Sequence, residues 1–272
     1  MADAEEGPDP ALQPVPDRTG VMARNEQAWE DWGTIDPLWA VVTAGDKKHG
    51  RWDVDEFFRS GQATIDSLLQ EGAAYGVPAR AGRALDFGCG VGRLTRALGA
   101  YVPEVLGLDV SGSMIERAVA LNAGRTGVDF AVHRDADLHV IGDDCMDVVC
   151  SLLVLQHIPS VALIENYLRE FVRVLAPGGF LFVNLPVDVP VADPTWRSRL
   201  RPRTRLSRLL RGLGVSPAFL YRHLNWHPDM PMTEIPVERV RSILEASGAR
   251  ILESRVVDEG DGVDQGLYLV TC

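Results

Sequence analysis

Leu85-Asp86-Phe87-Gly88-Cys89-Gly90-Val91-Gly92-Arg93-Leu94 is the stretch that decides the fold of this chain. A short apolar run ends in glycines at every second position and then turns helical, which is the pattern of a strand bending sharply into a helix. Glycine allows the bend and lets a ligand approach the backbone without meeting a Cβ. Further on, Val105–Asp109 is a second β-like run that closes on an acid. A carboxylate at that strand end can accept both hydroxyls of a ribose, and strand ends on one edge of a parallel sheet form the usual ligand crevice. Two cofactors fit such a crevice. A dinucleotide wants Gly-x-Gly-x-x-Gly, with its pyrophosphate on the helix N-terminus. Here the third glycine comes one residue early and Asp86 precedes the turn, which suits a cationic, phosphate-free nucleoside better. On these residues alone, a tight β–α turn with incidental glycines stays open.

Outward from this stretch the chain alternates strand-like and helix-like segments, the pattern of a parallel sheet covered by helices. The strands read as Ala84–Phe87, Val105–Asp109, Val128–Val132, Asp147–Ser151, Phe180–Leu185, Arg250–Val257 and Gly266–Thr271. The last two are separated only by the acidic turn Asp258–Asp264. So short a link makes them antiparallel, because a parallel crossover needs a dozen or more residues. The expected fold is therefore α/β, a doubly wound seven-stranded sheet that is mostly parallel with a reversed last strand. A helix is expected after a capping box from Ser113 to Glu116. Another has Ile164, Leu168, Phe171 and Leu175 on one face and is stopped by Pro177-Gly178-Gly179. A third spans 236–247, with Val237, Val240 and Leu244 on one face.

The organisation read from composition is a loose tail over 1–20, a helical cap over 21–75, a cofactor-binding core over 80–185, an insertion over 186–235, and a return to the core over 236–272. The cap holds Trp29, Trp32, Trp39, Trp52, Phe57 and Phe58. Hydrophobic residues at 46% and charged residues at 24% exclude collagen-like and wholly disordered chains. With 27 basic against 38 acidic residues, the net charge of −11 makes general binding to nucleic acid or an anionic membrane a poor expectation. No stretch approaches the roughly 18 apolar residues of a membrane span. The acidic N-terminus shows no secretory signal, and the cysteines (Cys89, Cys145, Cys150, Cys272) have no metal-ligand spacing, so a cytoplasmic protein without a metal site is expected.

Taken with its neighbours, the 85–94 stretch resembles the first motif of class I S-adenosylmethionine-dependent methyltransferases, whose fold is Rossmann-like. Gly107-Leu108-Asp109-Val110-Ser111 is similar to the second motif, and Asp135-Ala136-Asp137-Leu138 to the adenine-contacting segment. Asp147–Ser151 running into Leu155-Gln156-His157-Ile158 resembles the fourth strand and its exit. Arg173–Gly179 resembles the turn before strand five. The resemblance implies S-adenosyl-L-methionine as cofactor and S-adenosyl-L-homocysteine as product. It implies that Gly88, Cys89 and Gly90 admit the methionine portion, with Asp86 near its amino group, and that Asp109 holds the ribose. Val110 and Met114 would pack near the adenine, Asp135 would accept from its amine, Ala136 would offer a backbone amide, and Leu153 would line the sulfonium. Asp137 is the alternative to Asp135.

Methyl transfer from a sulfonium is an in-line displacement in which holding the acceptor supplies much of the catalysis. His157 sits where a base or a substrate contact belongs, or it packs between strand and helix. His133 reads as structural. Trp29, Trp32, Tyr221, His223 and Trp226 are the candidate acceptor-pocket residues, with core packing as the alternative for the tryptophans. The arginines between Arg197 and Arg222 read either as a solvated face over a packed stripe of Leu206, Leu209, Leu210 and Leu213, or as a lid attracting an anionic acceptor. Base-amino methyltransferases carry Asn/Asp-Pro-Pro-Tyr/Phe where this chain has Ser151-Leu152-Leu153-Val154, and Cys150 lies in a buried strand. The expectation is thus methylation of an O, N or C centre of a small organic acceptor in specialised metabolism. The alternatives are a non-methylating use of the same cofactor, for cyclisation or elimination, and a non-catalytic partner subunit.

Overall fold

A computed structural model of the 272-residue chain describes residues 20–75, 82–186, 206, 209–228, 230–258 and 264–272. The expected tail, apart from Gly20, lies outside these residues, as do Arg197, Arg199, Arg201, Arg203, Arg205 and Arg208. Strand β1 (Arg83–Phe87) is buried at every position but its first, as a central strand covered on both faces must be. It pairs in parallel with β2 (Glu104–Asp109) on one side and β4 (Met146–Ser151) on the other. Beyond β2 lies β3 (Val128–Val132), and beyond β4 lies β5 (Leu175–Pro186). The seven strands run in the order β3-β2-β1-β4-β5-β7-β6. The chain therefore winds outward from β1 to β3 and returns to β4, which opens a crevice at the carboxyl ends of β1 and β4.

The short-turn argument holds. β7 (Asp264–Thr271) is antiparallel to β6 (Arg250–Asp258) and also to β5, so the reversed strand is wedged between them. Consecutive residues face opposite sides of the sheet. Leu85, Val149 and Leu181 enter one apolar layer with Leu168, Phe171 and Leu244, while Ala84, Val148 and Phe180 enter another with Ile65, Leu68 and Leu98.

Helices α1 (Val21–Ile35), α2 (Pro37–Val41) and α3 (Val54–Ala74) precede the sheet. Asp53 caps α3 by accepting from the Glu56 amide at 2.8 Å. Between the strands come α4 (Arg93–Leu98), α5 (Gly112–Leu121) and α6 (Val161–Val174). α6 ends at Val174, one turn before the Pro-Gly-Gly stop. Leu175 already pairs with Met146, and residues 176–179 form an irregularity before Val148 pairs with Phe180. The capping box is also corrected. Ser111 is the N-cap of α5, accepting from the Met114 amide at 3.2 Å, and Ser113 lies inside the first turn.

Later come α7 (Pro217–Leu224) and α8 (Val237–Ala246), the latter burying Val240, Ile243 and Leu244. The leucine stripe is largely open: Leu209 and Leu213 are 61% and 73% exposed, Leu206 is exposed too, and only Leu210 is half-buried. Tyr221 packs into an aromatic cluster with Trp32, and polar contacts also hold this region. Arg211 pairs with buried Asp31 of α1 at 2.7 Å. Tyr221 of α7 donates to Asp36 at 3.0 Å. Among the described residues no helix is long and apolar enough to cross a membrane, and no cluster of three or more His, Cys, Asp or Glu side chains could hold a metal ion.

Candidate functional site

The bend after β1 is fixed by β2. The amides of Gly88 and Cys89 both donate to the Leu108 carbonyl, at 2.7 and 2.9 Å. Gly88 and Gly90 have φ of +76° and +54°, a region L side chains rarely adopt. A Cβ on Gly90 would also lie 2.5 Å from Val41 Cγ2 of α2, so the bend and the N-terminal helices touch directly. Gly90 N–H then donates to Asp109 Oδ2 at 2.8 Å, and Ser111 N–H to Oδ1 at 2.9 Å. Each carboxylate oxygen can accept more than one hydrogen bond. Burial raises the Asp109 carboxyl to about 6, with the Ser111 and Gly90 amides acting the other way.

This bend forms one end of a cavity of about 920 Å³, part of it open to solvent. Gly88, Gly90, Asp109, Val110 and Met114 line it, as does Leu153 beyond β4. Leu153 has φ +61° without being glycine, held there by its amide donating to Asn184 Oδ1 at 2.6 Å. Met22, Asn25 and Trp29, spaced three and four residues apart on one face of α1, line the same cavity, as do His157, Ile158 and Leu163.

The other side of α1 explains why it docks there. Glu30 accepts from the Gly112 amide at 2.7 Å and the Ser113 amide at 2.9 Å, so a carboxylate from the N-terminal segment satisfies the free donors at the start of α5. Partial burial works against its ionisation, but the Ser113 and Gly112 amides and the serine hydroxyls outweigh it and hold the carboxyl below its ordinary value. Arg134 braces Glu30 at 3.2 Å and Glu26 at 2.5 Å. Gly33 permits the close approach, since a Cβ there would fall 2.1 Å from Ser113 Oγ.

The expected site residues thus divide. Gly88, Gly90, Asp109, Val110, Met114, Leu153, His157 and Trp29 meet in one cavity wall. Asp86 is buried behind it, accepting from Thr95 Oγ1 at 2.6 Å, with burial raising its carboxyl to about 6 against that hydroxyl. Cys89 is buried with its thiol on the Gly90 carbonyl, and burial pushes the thiol up. Asp135 is exposed, and its backbone carbonyl rather than its carboxylate is engaged, by the Tyr167 hydroxyl at 2.5 Å. Ala136 gives its carbonyl to Asn166 at 2.9 Å. Asp137 faces outward, paired with His139. Trp32 and Tyr221 belong to a separate aromatic core with Phe57 and Phe58, while His223 is exposed and Trp226 half-buried, both off the cavity wall. His133 instead joins the wall, from just past β3, beside Phe87 and Tyr167.

A mostly parallel sheet with a switch-point crevice, a glycine bend and a carboxylate at the end of β2 form the kind of site that suits a nucleoside. The wall suits a nucleoside without phosphates. Asp109 retains acceptor capacity, Val110 and Met114 offer apolar surface, and the Arg93 guanidinium is turned under α3 toward Ser60 and Thr64 at 3.4 and 3.3 Å. Residues 85–183 match the family model described as a methyltransferase domain. This match covers the sheet core from β1 to β5, and that core is similar to the S-adenosylmethionine-dependent methyltransferases. Among curated relatives, a ubiquinone biosynthesis O-methyltransferase of Xanthomonas axonopodis pv. citri is 29% identical over 143 residues, 52% of this chain and 58% of that protein. One from Xylella fastidiosa is 32% identical over 110 residues, 40% and 43% of the two chains. The chain spans about half the length of the curated relatives it matches. Magnesium protoporphyrin IX methyltransferase of Synechocystis, solved with S-adenosylhomocysteine, superposes with a TM-score of 0.58 at 18% identity, over 92% of this chain and 99% of that one. A Leishmania major methyltransferase gives 0.58 at 17% identity over 93% and 87%. These structural likenesses show the fold.

Proposed function

We propose that this chain transfers the methyl group of S-adenosyl-L-methionine to a hydroxyl of a small, largely apolar organic acceptor, releasing S-adenosyl-L-homocysteine. The observation that carries this reading is the single cavity, which joins the Gly88–Gly90 bend and Asp109 to the apolar end at Met22, Trp29, Ile158 and Leu163. A donor held by the first set and an acceptor held by the second share one cavity, which is what an in-line displacement requires. In the proposed assignment Asp109 takes the ribose, Val110 and Met114 flank the adenine, and Gly88, Gly90 and Leu153 surround the methionine end. Asp86 acts through the bend it supports and Cys89 through packing. Asp135 and Ala136 keep only a rim role.

The sulfonium cofactor supplies an activated methyl group. An acceptor oxygen would attack along the methyl–sulfur axis, the bonding pair would stay with sulfur, and the hydroxyl proton would pass to His157. Two features support His157 as the base. It lines the acceptor end, and burial holds the ring below its ordinary range, so it stands neutral at pH 7. An oxygen acceptor is favoured over nitrogen or carbon because the matched relatives are named O-methyltransferases. Those names point to a quinone pathway, and the expected specialised-metabolism setting finds no support in them.

An anionic acceptor finds no cation among the described wall residues, and the nearby Arg134 and Arg211 are taken by Glu26, Glu30 and Asp31. We keep 21–75 as the cap, 80–185 and 236–272 as the core, and 186–235 as the insertion. The cytoplasmic setting, with neither nucleic acid nor membrane as partner, rests on net charge and cysteine usage. Isothermal titration with S-adenosyl-L-methionine tests the reading. Wild type should bind saturably and Asp109→Ala should lose at least tenfold in affinity with its fold intact by circular dichroism. Equal affinities would remove the ribose assignment.

A further inference from the structure

Strand β5 carries one polar side chain in its buried run Phe180-Leu181-Phe182-Val183-Asn184-Leu185, and Asn184 is 3% exposed. By alternation it follows Phe180 and Phe182 on their face, so periodicity asks for an apolar residue there. A buried amide is costly unless it is hydrogen-bonded, and the partners of this one fix its orientation. Its Oδ1 accepts from the Leu153 amide at 2.6 Å, which leaves Nδ2 to donate to Gln265 Oε1 of β7 at 3.3 Å. Gln265 is itself buried, and its Nε2 has no hydrogen-bond partner among the described residues.

What Asn184 holds is a strained turn. Leu153 sits at φ +61°, a conformation that costs energy in any residue with a Cβ and persists only where its surroundings enforce it. Leu152, Leu153 and Val154 all line the cavity. A Cβ on Gly88 would fall 2.3 Å from Val154 Cγ1, so this turn lies directly on the glycine bend. The Val154 carbonyl then accepts from the His157 amide at 2.9 Å, in the short turn Leu155–His157 that brings His157 to the wall. One side-chain amide thus governs backbone that touches the bend at one end and leads to His157 at the other. Were packing the sole requirement, a leucine at 184 and a relaxed residue 153 would serve with no buried polar group.

We infer that Asn184 is the positioning residue for the methionine end of the donor. By holding Leu153 in the left-handed region it sets the Leu152–Val154 backbone against the space which that end occupies. The inference rests on the methyl-transfer reading, which puts the methionine portion among Gly88, Gly90 and Leu153. Asn184 is itself off the cavity wall, so it acts through Leu153, and Gln265 braces the far side of its amide. In the same reading the adenosine half rests on Asp109, Val110 and Met114, at the end of β2 and the start of α5. The two halves of the donor therefore report on Asn184 differently.

Calorimetry on the full-length chain with S-adenosyl-L-homocysteine and with adenosine, which lacks the methionine portion, provides the test. Asn184→Leu should lose about tenfold or more in S-adenosyl-L-homocysteine affinity, while adenosine affinity stays within about twofold of wild type. A general loss of stability moves both ligands together and does not mimic this split. Asn184→Asp keeps an oxygen for the Leu153 amide, and the Gln265 amide, turned over, can donate its NH₂ group to the other oxygen. That variant should recover most of the loss. Hydrogen exchange of the ligand-free protein should show the Leu153 amide exchanging about tenfold faster or more in Asn184→Leu, and near the wild-type rate in Asn184→Asp. Asn184→Leu losing both ligands equally, or neither, would overturn the positioning role. So would unchanged exchange at Leu153, or an aspartate variant no better than the leucine one. If Asn184→Leu fails to fold, Asn184→Ser, too short to reach Leu153, takes its place. Wild type binding neither ligand would sink the methyl-transfer reading and this role with it, whereas wild type binding both leaves only Asn184 at stake.

Discussion

Lowering the pH from 7 to 5 probes the ribose role of Asp109 without altering any atom of the chain. Its carboxyl stands at about 6 because burial penalises the charge more than the Ser111 and Gly90 amides relieve it. A ribose would add two donors to the same carboxylate and favour the ionised form, so the bound midpoint falls below the free one. The sign follows. Binding is fully available above 6 and is lost as pH drops through 6, because the proton and the ribose hydroxyls compete for the same oxygens. With a free-state midpoint near 6, about one molecule in ten is protonated at pH 7 and about ten in eleven at pH 5. The dissociation constant therefore rises about tenfold, or ~1.4 kcal/mol.

Calorimetric titrations of S-adenosyl-L-methionine at both pH values measure this, since neither end group of its methionine part titrates in that window. Asp109→Asn should bind weakly at pH 7 and show no such slope. Asp86 also stands near 6, so Asp86→Asn serves as the comparison and should keep the slope. A flat wild-type affinity, or an unchanged slope in Asp109→Asn, would refute the ribose role.

Gly90→Ala places a side chain at φ +54° and against Val41, so it should cost about 1–3 kcal/mol of stability by chemical denaturation and weaken cofactor binding in parallel. Glu30→Ala leaves the Gly112 and Ser113 amides without their acceptor, and a loss of about 1–2 kcal/mol is expected, read as a lower unfolding midpoint together with faster hydrogen exchange at the start of α5. Tyr221→Phe removes the hydroxyl shared by Asp36 and the His49 amide and should destabilise by about 1–2 kcal/mol while leaving cofactor affinity unchanged, because Tyr221 is off the cavity wall. For His157→Ala, turnover at the parental rate across pH 5–9 would exclude it as the base.

The glycine bend, the strand alternation, the reversed last strand and Asp109 were all legible because each is local. Positive-φ glycines, period-two burial and a turn too short for a crossover are written into neighbouring residues. Asn25, Met22 and Glu30 carried no such signal, and helical spacing shows only that 22, 25 and 29 share a face. Asp86 and Asp135 mark the opposite limit. The resemblance gives both a role at the cofactor, yet the Thr95 hydroxyl donates to one carboxylate and the other is exposed to solvent. For the leucine stripe the sequence leaves a packed face and an open lid both in play, because periodicity does not say whether anything stands opposite it.

By itself the sequence determined the sheet, the order of its strands' motifs and the acid at the end of β2, since backbone geometry and side-chain alternation act between near neighbours. Only the tertiary structure decided which residues face the cavity, which carboxylates remain available to a ligand, and that His157 meets Pro231 from a segment 74 positions away. Those outcomes depend on how packed surfaces dock, and docking is fixed by the shapes and charges of both partners together.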